Sequence, residues 1–134
     1  MPDSDYIVSN GEVLSSRSGD RMWKVPAGVT CHLPDQSIIE IKAGLIVVEG
    51  NINGYRRGYI ANNGPGTGTN TGGGAGHGGA GGNSGLGSGG GPTYGNPTDD
   101  TVYLGSGGRS GTHTSGGKGG GAIILEAPFV IISG

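Results

Sequence analysis

The side chains with obvious chemical capacity in this 134-residue chain are three histidines, one cysteine and one adjacent pair of aspartates. His32, His77 and His113 lie far apart in sequence. There is no second cysteine to pair with Cys31 and no HExxH motif, so no zinc pattern is present. Asp99-Asp100 offers two carboxylates, but the residues around them do not have the spacing of a calcium loop, and a solvated turn is the plainer reading. Gly116-Gly117-Lys118-Gly119 sets a lysine among glycines without the GxxxxGK[ST] pattern that cradles phosphates. No catalytic constellation emerges, and the sequence is read as a non-enzyme to which no cofactor or metal is assigned.

Binding is better served. The segment Pro92–Leu104 gathers two of the five tyrosines and both members of the acidic pair in an otherwise glycine-dominated region. Aromatic rings stack on apolar faces and carboxylates accept hydroxyls, which suits recognition of a sugar or a protein loop. Tyr94, Asn96, Asp99, Asp100, Tyr103 and Arg109 are the candidate binding residues. A compatible alternative has both tyrosines packing on the glycine backbone as a local mini-core.

These residues depend on a glycine framework with a period of three. From Gly72 the chain reads GGG-AGH-GGA-GGN-SGL-GSG-GG, and glycine holds the middle position at 73, 76, 79, 82 and 85, returning at 91. His77, Asn83 and Leu86 take the third position. From Gly105 the period continues as GSG-GRS-GTH-TSG-GKG-GG, with Thr114 the one lapse. Three residues per turn belongs to the polyproline-II type of helix, which makes no internal hydrogen bonds and must satisfy its backbone elsewhere. Where two faces carry only hydrogen, neighbouring helices approach closely enough to bond one another. The sequence therefore predicts packed polyglycine-II helices over 64–121, against the competing reading of a flexible Gly/Ser linker. Collagen is a poor fit, because the 7 prolines do not fall in Gly-x-Pro runs. His77 and His113 both sit at third positions. Two readings stand for them, a shared metal site or separately displayed side chains.

Composition agrees with a chain that lacks a large side-chain core. Hydrophobic residues make up 31%, against roughly 45–50% in an ordinary domain. The formal net charge is −2, and the basic residues are scattered rather than clustered, which argues against nucleic-acid binding. Low charge also argues against ordinary disorder. The single Cys31 is read as a small buried hydrophobe. The first residues have neither a basic nor an apolar leader region, so no signal peptide is expected, and no run is long enough for a membrane span.

In chain order, 1–20 reads as a polar arm or connector, either a flexible tail or a peptide that orders on a partner. Residues 21–63 form a β-strand region, rich in β-branched residues from Ile38 to Ile60 and cut into short pieces by Gly44, Gly50, Gly54 and Gly58. Residues 64–121 are the glycine region, with 92–104 as a loop joining an outward and a returning run. All but eight of the 34 glycines lie there, the exceptions being 11, 19, 28, 44, 50, 54, 58 and 134. Residues 122–134 return to strand and end on an edge that needs covering. Gly44–Gly50 (GLIVVEG) and Gly121–Ala127 (GAIILEA) are read as equivalent strands of adjacent coils. The expected fold is mainly β and irregular with no α-helix: short strands forming a small β-roll or β-solenoid base, with a polyglycine-II excursion.

Two stretches carry a resemblance. Trp23-Lys24-Val25-Pro26-Ala27-Gly28-Val29-Thr30 resembles the aromatic-x-VPAGVT opening of glycine-rich domains in phage tail proteins. The blocks GGGAGHGGAGG (72–82), PTYGNP (92–97), LGSGG (104–108) and GGKGGGAIILEA (116–127) resemble glycine-rich insertions in β-solenoid surface proteins. In style, 64–121 is similar to the distal adhesins of phage long tail fibres, which stack polyglycine-II helices and carry receptor-contacting loops at the helix ends. The resemblance implies a structural virion component, a tail-fibre or tail-tip attachment protein. Its expected partners are further copies of itself or other fibre proteins through the N-terminal arm, and a protein or glycan receptor on the host surface. Its expected place is the virion, made in the host cytoplasm and extracellular after release. Alternatives are a self-assembling filament, coat or matrix β-solenoid subunit, and an ice-binding protein. The last would need a flat, regular face of threonine or alanine, and Thr67, Thr69, Thr71, Thr112 and Thr114 do not share one register.

Overall fold

The computed structural model describes residues 4–85, 87, 89–95, 98 and 101–134. They divide into two compact units. One comprises 1–34, 38–54 and 123–134, and the other 35–37 and 55–122. Among the described residues there is no helix, and the chain is mainly β with parallel strand pairing.

The first unit is built from β-branched and aromatic residues laid on parallel rungs. Strands β1 (Asp5–Ile7), β2 (Arg17–Val25) and β4 (Ile38–Val48) are consecutive neighbours in one sheet, with β6 (Ala122–Glu126) and β7 (Phe129–Ile132) both beside β4. The register stacks Tyr6 on Trp23, Trp23 on Ile46 and Ile46 on Val130. A second, two-stranded sheet pairs β3 (Thr30–His32) with β5 (Asn51–Asn53), and Val13 bridges to His32. Between the sheets lies the core: Val8, Leu14, Trp23, Val25, Cys31, Leu33, Ile39, Ile41, Ile46 and Val48. Side chains alternate along β2 and β4, so every second residue near their C-terminal ends is buried. Cys31 is among these buried side chains, as its lone occurrence predicts, and burial pushes its thiol pKa up.

Three expectations are corrected here. Residues 4–20 are not an arm. β1 pairs with β2, and Val8 and Leu14 enter the core, because each short apolar piece finds a parallel rung to lie on. Gly44 does not break a strand. It lies inside β4, where a Cβ would come within 2.7 Å of the Arg21 carbonyl oxygen, so glycine permits close approach of β2. The equivalence of 44–50 with 121–127 also shifts, since Leu45–Val48 pairs with Phe129–Ile132. At eleven residues, β4 is long enough to accept β6 and β7 as separate neighbours. The four side chains of β7 are all exposed.

The second unit begins earlier than residue 64. Gly58 and Tyr59 already donate to Gly119 and Gly105. No strand lies between 54 and 121 among the described residues. Among the described residues its buried positions are Gly58, Gly66, Gly68, Gly73, Gly76, Gly91, Gly107 and Gly119, and only Leu104 and Ser106 add side chains to them. Backbone bonds run between segments in steps of three. Gly105, Gly108 and Gly111 donate to Gly120, Gly117 and Thr114 at 2.9, 3.0 and 2.9 Å. Tyr59 and Asn62 donate to Gly105 and Gly108 with the same step. In the first run, Gly91 and Tyr94 donate to Gly74 and His77, both at 2.8 Å. The two runs are thus not simple outward and returning partners. Each folds back on itself, and they meet where Arg109 donates to Gly73 and Gly72 donates to Ser110. A bulky residue at the closely packed positions, Gly66, Gly73, Gly91, Gly107 and Gly119 among them, would block these approaches.

Candidate binding site

His77 and Tyr94 are brought together by the backbone before their rings touch. Tyr94 N–H donates to the His77 carbonyl at 2.8 Å, and His77 N–H donates to the Gly79 carbonyl at 2.9 Å. The rings then stack with centroids 4.3 Å apart and planes 12° from parallel. Tyr103 meets Tyr94 edge-on, at 5.8 Å and 90°. Such offset and T-shaped pairs contribute about 0.5–1.5 kcal/mol each beyond area burial.

Tyr94 is the fixed member of the trio. Its hydroxyl donates to the Leu104 carbonyl at 2.6 Å, tying the start of the 92–104 segment to its end. Its ring lies over Gly66, where a Cβ would come within 2.6 Å of the ring carbon Cε1. Gly95 has φ of +86°, and a Cβ there would stand 3.3 Å from His77 Nε2, so both conformation and space favour glycine. Ser106, buried beside this frame, accepts the Gly66 N–H at 2.9 Å and leaves its hydroxyl oxygen satisfied.

These contacts leave an open cleft of about 730 Å³. His77 and Gly78 line one side, Thr93–Gly95 a second and Thr101–Tyr103 a third. Tyr103 remains 37% exposed, and His77 and Thr93 are also exposed. No charged side chain is among this described lining.

Of the six candidate binding residues, Tyr94 and Tyr103 are brought together here. Tyr94 packs on the glycine backbone, whereas Tyr103 is partly exposed. Arg109 is not part of the cleft lining. Its backbone N–H bonds Gly73 and its side chain is exposed. Asn96, Asp99 and Asp100 lie outside the described residues, as does Leu86. His77, a third-position residue in the glycine period, is the third ring of the cluster. The signal that identifies it is the pairing of an aromatic-length side chain at a third position with a tyrosine across the glycine surface. His113 is exposed in the turn closed by the Gly111–Thr114 bond. Among the described residues no three His, Cys, Asp or Glu side chains gather as a metal site. Lys118 bonds both carboxylate oxygens of Asp35 at 2.9 and 3.1 Å, so it does not stand over an empty glycine loop.

A second hollow, of about 360 Å³, is lined by Ser16, Arg17, Ser18, Glu40 and Lys42 in the first unit. Its cations are engaged. Arg17 pairs with Asp20 at 3.0 Å and covers the Tyr6 ring at 3.6 Å, and Lys42 reaches Glu40 and Glu126. No family model matches the chain, and neither a curated protein nor a solved structure shows significant similarity to it.

Proposed function

We propose that the chain is a non-enzymatic attachment module of a virion, a tail-fibre or tail-tip component made of a β-solenoid unit and a polyglycine-II bundle that displays a recognition loop. The observation that carries this reading is the three-residue step of the inter-segment bonds at 105/120, 108/117 and 111/114. Three residues per turn, with backbone groups satisfied by neighbouring segments, is what packed polyglycine-II helices require. The solenoid reading draws on the parallel register that carries one column through Tyr6, Trp23, Ile46 and Val130, with a second sheet formed by the same successive passes of the chain. A scaffold of this kind holds its shape with little side-chain entropy to lose, so a loop anchored on it is presented in one geometry.

The loop fastened at Tyr94 and Leu104 is the displayed element. Deleting 93–103 should abolish adsorption to host cells while leaving slow amide exchange at Gly105, Gly108 and Gly111, whose bonds do not involve Tyr94. Adsorption at the wild-type level by a folded deletion variant would overturn the attachment role.

A further inference from the structure

The aromatic cleft on the glycine unit has features that an attachment scaffold does not itself require. We propose that it is a saccharide site that takes a neutral pyranose, with Tyr103 as the stacking platform and His77 and Thr93 as hydrogen-bonding partners for sugar hydroxyls; this rests on the reading of the unit as a display scaffold. A pyranose has apolar C–H faces and a rim of hydroxyls, so its receptor needs an open ring beside mixed donors and acceptors.

The cleft supplies these in separate residues. Tyr94 is used up as support, its hydroxyl on Leu104 and its ring between His77 and Gly66. Tyr103 takes its orientation from Tyr94 by the edge-on contact and keeps its own surface open. His77 is fixed by stacking on one face, while its ring nitrogens can donate or accept. Thr93 adds a hydroxyl at the exposed rim. Gly78 and Gly95 leave the floor bare of side chains, which allows a flat ligand close approach to backbone groups. The absence of a cation from the described lining disfavours phosphate or an acidic peptide as the ligand. Tyr94 is a positioning residue in this arrangement, and Tyr103 is the contact.

The test is saturation-transfer difference NMR on the full chain with maltose, cellobiose and lactose at millimolar concentration. At least one sugar should receive saturation on its ring C–H protons. Tyr103→Ala should weaken that binding about tenfold or more, the size expected for one lost aromatic contact. Tyr103→Leu, which keeps apolar bulk against Tyr94, should weaken it as well. Thr93→Ala, at an exposed position, should weaken it by a smaller factor. No saturation transfer with any of the three sugars overturns the proposal, as does wild-type binding by the Tyr103 variants. If adsorption depends on 93–103 while none of these sugars binds, this inference fails and the attachment role stands. If sugar binding depends on Tyr103 while the deletion leaves adsorption unchanged, the saccharide site stands and the attachment role fails.

Discussion

The two units exclude water from their interiors with different parts of the chain. In the β unit, the fully buried atoms belong to large side chains such as Trp23, Ile41 and Ile46. In the glycine unit, the buried positions are almost all glycine, and the atoms in contact are peptide groups. The first interior gains from apolar transfer, at roughly 25 cal/mol per Å². The second gains little from that source and depends on each peptide finding a partner, since a buried unpaired amide costs about 1–3 kcal/mol. The difference teaches that a stretch almost without hydrophobic side chains can still close a dense interior.

Removing a large buried side chain should therefore damage chiefly the first kind of interior, and adding a methyl group at a packed glycine chiefly the second. The largest effect is expected at Trp23, which is fully buried between Tyr6 and Ile46 in the sheet. Trp23→Ala should cost about 3–5 kcal/mol, read by chemical denaturation of the β unit. A loss under about 1 kcal/mol would mean that the side-chain core is not what stabilises that unit.

The converse substitution is Gly91→Ala. A Cβ there would run into the Gly66 carbonyl oxygen and lie 3.0 Å from the Gly76 nitrogen. The expected cost is about 1–3 kcal/mol, the usual range for overpacking, together with faster amide exchange at Gly76 and Gly91. Gly79→Ala is the control, because a Cβ there meets nothing within 4 Å. It should be neutral or stabilise by up to about 1 kcal/mol through the unfolded chain. Equal effects at 79 and 91 would refute the close-packed backbone interior.

The smallest effect concerns charge on the β unit. The Arg21 guanidinium holds the Asp5 carboxyl below its ordinary 3.8, and the Lys24 ammonium holds Glu49 below its ordinary 4.5. Both folded-state values are depressed, so the stabilisation is present above the ordinary values and is lost as pH falls through the folded ones. Melting temperature should decline gently below about pH 4.5. Asp5→Asn should flatten the Asp5 part of that decline, and an unchanged profile would remove the Asp5–Arg21 pair as a contributor.

Much of this contrast was legible in the residues. The glycine period is legible as a repeat of three, and the bonds at 105/120, 108/117 and 111/114 advance by the same number, while no strand lies in that stretch among the described residues. The β-branched runs foretold strands, and the lone cysteine foretold burial. What could not be read was register. Gly44 looks like a break because a missing side chain in a sequence does not reveal which backbone approaches it. The first twenty residues look like a tail because their apolar pieces are too short to signal strands alone, and become strands only when an existing rung offers hydrogen bonds. At the site, Tyr94 and Tyr103 were legible as bulk within a glycine stretch, whereas His77 joins them through a fold-back that no local pattern encodes.

The glycine interior also bears on the heat capacity of unfolding. Exposing apolar surface raises heat capacity, while exposing peptide groups lowers it. A unit whose buried positions are glycine and whose bonds are made by the main chain should unfold with a much smaller heat-capacity increment per residue than its β neighbour. Its stability curve would then be flat, so cooling would weaken it less than it weakens the tryptophan-centred core. Across a wide range of temperature, the part of the chain that holds the aromatic cleft would keep its shape while the side-chain core follows the usual dome.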